Sequence, residues 1–280
     1  MRKLAYYNGQ FGEYDKIRVP LSDRSIFFGD GVYDAAIGCY DRILWEDEHI
    51  ERLLDNARRL GIKHEYTKDR LSGLLREVAV KSQIDSYFIY FSLTRNMDRR
   101  IHSAKNCNTA NILVTIEEFN LKPNSAPLKL ITCEDKRYEY CDIKTINLLP
   151  SVLASTEAEI CGCDEAVLHR GEIVTECAKS NISILLHGRI KTHPISNHIL
   201  PGITRKHLLT VARQYNIPCD ESPFTLKELF EADEIIVSST SKLCRRVCSV
   251  DGISVGGKSG AISDLLCSKI YDTYLKICYV

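Results

Sequence analysis

Two β-hairpins are predicted one after the other in the second half of the chain. DEAVLHRGEIVTE turns at Arg170-Gly171 and NISILLHGRIKT turns at His187-Gly188, each between two β-rich runs. Two longer β-rich runs come before them, SYFIYFSLTR at 86–95 and ANILVTIEEF at 110–119. A large part of the chain must therefore be β-sheet.

Amphipathic helices are predicted among these strands. The stretch DEHIERLLDNARRL at 47–60 repeats apolar side chains at the i, i+3, i+4, i+7 spacing of a helix, and Asp47 can cap its start and Gly61 its end. Further helices are predicted after PGITR, at the capping box TLKE and over AISDLLCSKIYDTYL. The mixture predicts an α/β protein of the α+β type.

One stretch without periodicity, NLKPNSAPLK, contains two prolines and is the best linker candidate. It predicts an interdomain linker at 120–127, with one domain at 1–119 and a second at 128–280. A chain of 280 residues with 44% hydrophobic content is long enough to build both cores.

The charge balance favours a small-molecule function. Thirty-seven basic residues offset thirty-seven acidic ones, so no overall field favours nucleic acid or an anionic membrane. The N-terminal stretch lacks the apolar run of a signal peptide, and no window approaches 18 uninterrupted apolar residues. We therefore expect a cytoplasmic protein with no nucleic-acid or membrane partner.

The twelve cysteines are scattered, and only Cys161 and Cys163 form a close pair. They are predicted to be reduced, mostly buried thiols. No metal site is expected, because four zinc ligands do not cluster in the sequence.

Two glycine-rich patterns resemble nucleotide-binding motifs but are not predicted to bind nucleotides. GISVGGKS at 252–259 fits the phosphate-binding pattern of nucleotide triphosphatases, but too little chain follows it to build the required sheet, and it is predicted to be a hairpin followed by a loop. FFGDGVYD lacks the third glycine of a dinucleotide site.

Lys144 in CDIKTINLLP lies between an acidic residue and an apolar run, where a lysine is ordinarily a solvated surface group. A free lysine has a pKa of about 10.4 and is protonated at neutral pH, so burial or a carbonyl partner must make it reactive. Pyridoxal phosphate, joined as a Schiff base, is such a partner. That cofactor then needs an acid at its ring nitrogen and a cradle for its phosphate.

The sequence offers candidates for both needs. Glu176 ends the β-rich run IVTE, and PGITR places residues 202–204 at a helix start, where backbone N–H groups favour an anion. Thr240 could add a hydroxyl and Arg52 a charge. Taken singly, each of these residues is more often structural than functional.

Together and in order, these residues resemble class IV aminotransferases, the fold type IV group of pyridoxal phosphate enzymes, and most closely the D-amino-acid aminotransferases. The resemblance spans nearly the whole chain and includes DRSIFFGDGVYD, EHIERL, LTRNMDRRIH, CDIKTINLLPSVLASTEA, SNISIL and THPISNHILPGITR. It implies a small N-terminal α/β domain and a larger C-terminal domain with a β-barrel-like core flanked by helices. It makes Lys144 the Schiff-base lysine and Glu176 the partner of the ring nitrogen. The other cofactor-binding positions that it implies are Arg52, Ile203, Thr204, Ser239 and Thr240.

The resemblance also implies a trap for the substrate α-carboxylate, formed by Tyr33, Arg100 and His102. A guanidinium can hold a carboxylate through two hydrogen bonds, and the phenol and imidazole can each add one. In the family the arginine and histidine come from the partner subunit, so the resemblance implies a homodimer. Its reaction is a ping-pong exchange between an amino acid and a 2-oxo acid, in which Lys144 moves the α-proton.

Several alternatives stay open. A branched-chain L-amino-acid aminotransferase or an aminodeoxychorismate lyase would share the fold and cofactor, whereas a triphosphatase or an inactive binding protein would lie outside the family. The run Cys177-Ala178-Lys179 and the pair Arg245-Arg246 depart from the family pattern. Their basic side chains could favour acidic substrates or face solvent.

Overall fold

The computed structural model describes residues 3–96, 100–121 and 126–279, which form two compact units. Unit 1 comprises residues 1–120, 143–147 and 274–280, and unit 2 comprises residues 121–142 and 148–273. The predicted linker at 120–127 falls partly outside the described residues, which omit 122–125, and it stays a prediction. The two short returns at 143–147 and 274–280 belong to unit 1, although the sequence predicts them in the second domain.

Unit 1 is built on a six-stranded antiparallel sheet in the order β2-β1-β6-β5-β3-β4. The strands are β1 (Lys3–Tyr7), β2 (Gln10–Glu13), β3 (Gly31–Cys39), β4 (Arg42–Ile43), β5 (Ser86–Arg95) and β6 (Ala110–Glu118). The predicted strands at 86–95 and 110–119 are confirmed as β5 and β6, which pair with each other. The isolated bridge between Val32 and Thr145 attaches the return at 143–147 to β3.

The helices of unit 1 are α1 (Arg24–Phe28), α2 (Glu46–Arg59) and α3 (Lys68–Ser82). The predicted helix at 47–60 is confirmed as α2, and its apolar stripe is buried in the core of this unit. Its predicted cap is wrong: Trp45 is the N-cap, with a left-handed φ of 52°, and Asp47 lies in the first turn. A negative charge there still stabilises the helix through its dipole. Gly61 follows the helix with a φ of 64°, as predicted for its end.

The glycines of FGDG have local structural roles. Gly29 caps α1 with a φ of 58°, which a glycine adopts without the strain of a Cβ atom. Gly31 begins β3 at a point where a Cβ atom would lie 2.9 Å from Thr94 Cγ2. The pattern therefore serves a helix end and a close strand contact.

Unit 2 contains a ten-stranded mixed sheet whose main path runs β12-β11-β10-β14-β15-β7-β8-β9-β13, with β16 paired to β15. The strands are β7 (Leu128–Glu134), β8 (Glu165–Arg170), β9 (Ile173–Cys177), β10 (Asn181–Leu186), β11 (Arg189–Thr192), β12 (Cys219–Asp220), β13 (Phe224–Thr225), β14 (Glu234–Ser239), β15 (Leu243–Val250) and β16 (Ile253–Ser254). β7 runs parallel to both β8 and β15. Both predicted hairpins are confirmed, as β8-β9 and β10-β11.

The helices after residue 148 are α4 (Leu149–Ile160), α5 (Ile203–Gln214), α6 (Leu226–Glu231) and α7 (Gly260–Cys278). The predicted capping box is confirmed at α6, where Thr225 and Glu228 exchange hydrogen bonds. The residues of α7 from Tyr274 onward belong to unit 1. No helix of the described part of the chain is both long and apolar enough to cross a membrane.

The GISVGGKS pattern forms a hairpin and a loop, as predicted. β16 pairs with β15 across Asp251 and Gly252, and the loop then leads into α7. The buried carboxylate of Glu234 accepts hydrogen bonds from the backbone N–H groups of Gly257 (3.0 Å) and Ser259 (3.1 Å). A side chain of the protein therefore occupies amides that a phosphate would use.

The prediction of reduced cysteines is wrong for two residues. Cys39 at the end of β3 and Cys278 at the end of α7 form a disulfide within unit 1. Their 239-residue separation hides the pairing in the sequence, and only the return of the chain at 274–280 brings them together. Among the ten free cysteines only Cys177 and Cys244 are buried, so the prediction of mostly buried thiols is also wrong.

Candidate active site

Lys144 lies in a segment of unit 1 without regular secondary structure, and a backbone hydrogen bond to β3 fixes its position. Its carbonyl accepts a hydrogen bond from the Tyr33 N–H at 2.9 Å. Its side chain is partly buried, and Nζ lies 4.4 Å from the centroid of the Tyr33 ring. Tyr33 in turn stacks on Tyr90, with ring centroids 5.1 Å apart. The lysine is thus held against an aromatic face, and not extended into solvent as a typical surface lysine would be.

Arg52 on α2 is bound by the buried carboxylate of Asp34 on β3. Arg52 Nε and Nη2 donate to the two oxygens of Asp34 at 2.7 and 2.8 Å, and His49 Nδ1 donates to Oδ1 at 2.7 Å. Burial would raise the pKa of Asp34, but the charges of Arg52 and His49 hold it well below its usual range. Burial lowers the pKa of His49. The arginine is therefore fixed in one orientation by a bidentate ion pair.

Glu176 at the end of β9 is a buried carboxylate with a polar surrounding in unit 2. It accepts hydrogen bonds from Arg137 Nη1, from Asn181 Nδ2 at 2.7 Å and from the Leu200 N–H at 3.1 Å. Burial raises the pKa of Glu176 to about 7, against the opposing charge of Arg137. Arg137 is itself held by Asp135, whose oxygens accept at 2.9 Å.

The start of α5 has the features of an anion site. Gly202 is the N-cap without a side-chain hydrogen bond, and Ile203 and Thr204 form the first turn. A Cβ atom on Gly202 would lie 1.8 Å from Asn181 Oδ1, so any larger residue would have to displace the Asn181 side chain. Thr204 Oγ1 is buried and has no hydrogen-bond partner among the described residues. The helix start, the glycine and the open hydroxyl suit a phosphate group.

Ser239 and Thr240 lie where β14 ends. Ser239 Oγ accepts a hydrogen bond from the Lys242 N–H at 3.3 Å. Lys242 Nζ donates to the buried carboxylate of Glu165, which also accepts from Ser180 Oγ at 3.0 Å. β14 pairs with β10 so that Ser238, beside Ser239, faces Asn181. The structure thus brings the β14 end to the strand that carries the Glu176 partner Asn181.

The residues of the predicted carboxylate trap lie in two separate clusters of unit 1, one around Phe28 and one around Lys144. Arg100 and His102 both lie on the ring of Phe28, with the guanidinium carbon 5.4 Å and the imidazole centroid 5.2 Å from its centroid. Both side chains are exposed. Tyr33 has its contacts with Lys144 and Tyr90, and no contact joins it to Arg100 or His102 among the described residues.

Three residues that sequence reasoning missed support these candidates directly. They are Asp34, Arg137 and Asn181. Asp34 follows Tyr33 on the strand, so its side chain points to the opposite face from the trap tyrosine, a signal available from strand alternation. Arg137 gives no such signal, because the chain between it and Glu176 includes a helix and a strand.

The two segments that depart from the family pattern, 177–179 and 245–246, make contacts within unit 2. Arg246 pairs with Glu234 (3.2 Å) and Asp264 (3.0 Å), and Arg245 donates to the carbonyl of Ala126. Cys177 and Ala178 are buried, and the exposed Lys179 donates its backbone N–H to Glu165. These contacts favour structural roles for both segments.

Several known proteins resemble this chain over nearly its whole length. A family model described as amino-transferase class IV matches residues 31–250. The D-alanine aminotransferase of Staphylococcus aureus is 38% identical over 267 residues, which cover 94% of each chain. That of Listeria monocytogenes is 35% identical over 277 residues, which cover 97% of this chain and 96% of the relative.

A solved structure with a similar fold is the branched-chain aminotransferase of the archaeon Thermoproteus uzoniensis with norvaline. It matches with a TM-score of 0.89 over 98% of this chain and 97% of its own, at 22% identity. This likeness shows the fold and confirms the predicted α/β class.

Proposed function

The chain belongs to the class IV aminotransferases, and from this premise we propose that it transfers the amino group of a D-amino acid such as D-alanine to a 2-oxo acid such as 2-oxoglutarate, using pyridoxal phosphate. The observation that carries the proposal is the identity of 35–38% to proteins named D-alanine aminotransferase over nearly the whole chain. The reaction is expected to follow a ping-pong course, because amino acid and oxo acid use one site in turn.

Lys144 is the proposed catalytic residue. Its Nζ would hold the cofactor through the cofactor's aldehyde group, and the amine, once free, would take the proton from the substrate α-carbon and later give it back. The cofactor supplies the electron sink that makes that α-proton acidic. The Tyr33 ring beside Nζ limits the directions from which the lysine can act.

Glu176 is the proposed partner of the cofactor ring nitrogen. Its carboxylate is fixed by Asn181 and Leu200; burial raises its pKa, and the charge of Arg137 opposes that rise. An ionised carboxylate keeps a ring nitrogen protonated, which strengthens the withdrawal of electrons from the substrate.

The phosphate would be held by the N–H groups and hydroxyl at the start of α5, with Ile203 and Thr204 in the first turn. Ser239, Thr240 and Arg52 complete the proposed phosphate-binding set. The open Thr204 hydroxyl supports this assignment, because a buried hydroxyl without a partner is costly unless a ligand satisfies it.

Arg100, His102 and Tyr33 are the proposed carboxylate-binding residues. The exposed guanidinium and imidazole side by side on Phe28 can together bind one carboxylate. Such a trap would require an α-carboxylate on both substrates.

We propose that the protein works as a homodimer in the cytoplasm, with the trap arginine and histidine acting on the partner's substrate. Each unit exposes apolar side chains that a second copy could cover. In unit 1 these include Val19, Leu21, Ile26, Phe27 and Ile101, and on α4 of unit 2 they include Leu149, Val152, Leu153 and Ile160. Sedimentation at twice the mass of one chain would support this assembly.

The alternative function is branched-chain L-amino-acid transamination, because the Thermoproteus uzoniensis enzyme of similar fold is named as a branched-chain aminotransferase. That likeness, at 22% identity, extends to the fold alone, whereas the relatives above 30% identity are named for D-alanine.

The deciding experiment is the visible absorption spectrum of the purified protein before and after addition of D-alanine and, separately, L-leucine. We expect absorption from the bound cofactor that is lost with D-alanine and kept with L-leucine. Loss with L-leucine alone would move the function to branched-chain substrates and remove the assigned role of Arg100 and His102. A colourless protein that gains no absorption from added pyridoxal phosphate would overturn the cofactor assignment.

A further inference from the structure

The backbone of the loop that carries Arg100 and His102 is bound by one buried side chain, Arg24. Arg24 Nη1 donates to the carbonyl of Ile101 at 2.6 Å, and Nη2 donates to the carbonyl of His102 at 3.0 Å. Arg24 is 3% exposed, whereas the loop residues are exposed. One guanidinium therefore fixes the two consecutive peptide groups on either side of His102.

An ion-pair network fixes the orientation of Arg24. Its Nε donates to Asp30 Oδ2 at 2.6 Å, and the same carboxylate accepts from Arg95 Nε at 3.1 Å. Arg95 uses its other N–H groups on the carbonyls of Leu60 and Gly61, at 2.7 and 3.0 Å. Asp30 thus joins the loop support to the end of α2, which is a packed part of unit 1.

Phe28 fixes the side chains of the same loop. Its ring centroid lies 4.5 Å from the guanidinium carbon of Arg24, 5.4 Å from that of Arg100 and 5.2 Å from the centroid of the His102 ring. Cation–π contacts of this kind orient a guanidinium without using its N–H donors. Among the described residues no hydrogen bond takes up the N–H donors of Arg100, which leaves them for a carboxylate.

We propose that Arg24 is a positioning residue for the carboxylate trap: it sets the place of Arg100 and His102 through the two loop carbonyls and through Phe28. The proposal rests on the proposed function, because it assigns Arg24 a role in the trap named there. A planar guanidinium can serve Asp30 and two carbonyls at once, whereas an ammonium group lacks that fork.

The test is Arg24→Lys, which keeps the charge and loses the fork. In steady-state kinetics of the holoenzyme we expect KM for D-alanine and for 2-oxoglutarate to rise by roughly tenfold to a hundredfold with a small change in kcat, since a displaced trap weakens ground state and transition state alike. Arg95→Lys is the matched control, because it shares Asp30 but contacts other carbonyls. We expect a similar loss of thermal stability in the control and a much smaller change in KM.

A double-mutant cycle separates positioning from general stability. If Arg24 acts through the trap, Arg24→Lys adds little to KM in an Arg100→Ala, His102→Ala background. Full additivity in that background, or an equal rise of KM in Arg95→Lys, overturns the proposal.

The same data separate this proposal from the proposed function. A rise of KM in Arg100→Ala without one in Arg24→Lys overturns only the role of Arg24. No rise of KM in Arg100→Ala overturns the trap itself, and the role of Arg24 falls with it.

Discussion

At the scale of single residues, the Thr204 hydroxyl supports the proposed phosphate site. Its oxygen is buried at the start of α5 without a hydrogen-bond partner among the described residues. We expect Thr204→Val to weaken binding of pyridoxal phosphate by about tenfold or more, the usual effect of one hydrogen bond to a charged group. Titration of the apoenzyme with cofactor, followed by absorption, measures the dissociation constant.

The matched control is Thr210→Val in the same helix. Thr210 Oγ1 donates to the Lys206 carbonyl at 2.9 Å and is exposed, so its removal should leave cofactor affinity unchanged. Urea unfolding of the apoenzyme should show no loss of stability in Thr204→Val, because the valine removes an unsatisfied polar atom. Equal cofactor affinity in Thr204→Val and wild type would contradict the phosphate assignment.

Glu176 predicts a pH dependence of stability in the apoenzyme. Burial raises its pKa from 4.5 to about 7, so between these values the folded protein keeps a proton that the unfolded chain has released. Its contribution to stability is therefore full below the lower value and is lost as pH rises towards the higher one. Between about pH 5 and about pH 7.5 we expect the free energy of unfolding of wild type to fall by roughly 2 to 3 kcal/mol more than that of Glu176→Gln. Urea unfolding at the two pH values measures both changes.

Glu221→Gln serves as the control for this comparison. Burial opposes ionisation of Glu221, but its bonds to Arg205 and Arg213 lower its pKa, so this carboxylate titrates below the chosen window. Its replacement should leave the change between the two pH values as in wild type. A wild-type pH response that persists in Glu176→Gln would show that another group causes it.

Sequence reasoning reached some of these residues and not others for a physical reason. Lys144 and Glu176 lie in local stretches whose order resembles a family, so they could be named as candidates without coordinates. Arg24 could not, because its partners are carbonyls 77 and 78 residues further along the chain. Backbone acceptors carry no residue identity, so a sequence holds no sign of such a contact.

At the scale of elements, the ion pair between β3 and α2 ties a strand to a helix in unit 1. Asp34→Asn would leave Arg52 buried beside a neutral amide. We expect a loss of about 3 kcal/mol in the free energy of unfolding of the apoenzyme, as found when one partner of a buried pair is removed. Urea unfolding measures it, and circular dichroism checks that the variant folds.

Asp55→Asn in the same helix is the control. Asp55 pairs with Arg58 at 2.7 Å on the exposed side of α2, where an ion pair contributes less than about 1 kcal/mol. Equal losses in the two variants would mean that burial of Asp34 has no energetic consequence.

The elements that could be predicted from the sequence are those whose own residues carry a local signal. The hairpins formed where glycine follows Arg170 and His187, because the turn backbone needs left-handed residues: Gly171 has a φ of 57°, and His187 and Gly188 have φ of 51° and 73°. The start of α2 was not predictable from capping preferences. Trp45 begins the helix in a left-handed conformation that its own residue type disfavours, so tertiary packing decides the boundary.

At the scale of the whole molecule, the Cys39–Cys278 disulfide ties the last turn of α7 to the sheet of unit 1. Tyr274 in that turn also bonds to Ser86 Oγ at 2.8 Å. Nothing in the sequence indicates this link, since the twelve cysteines are scattered and 239 residues separate the two that pair. A count of thiols in denaturant without reductant should therefore give ten per chain, and twelve after reduction.

Loss of this link should lower stability more than loss of a free cysteine. The bond closes a loop of 239 residues, and a cross-link over so long a loop removes much of the entropy of the unfolded chain. We expect Cys278→Ser to lower the free energy of unfolding by roughly 2 to 5 kcal/mol under non-reducing conditions, with Cys161→Ser, an exposed free cysteine, near wild type. Under reducing conditions wild type and Cys278→Ser should converge. A wild-type stability that does not respond to reductant, together with twelve reactive thiols, would mean that the two cysteines remain reduced and that the contacts of Tyr274 alone hold the chain end.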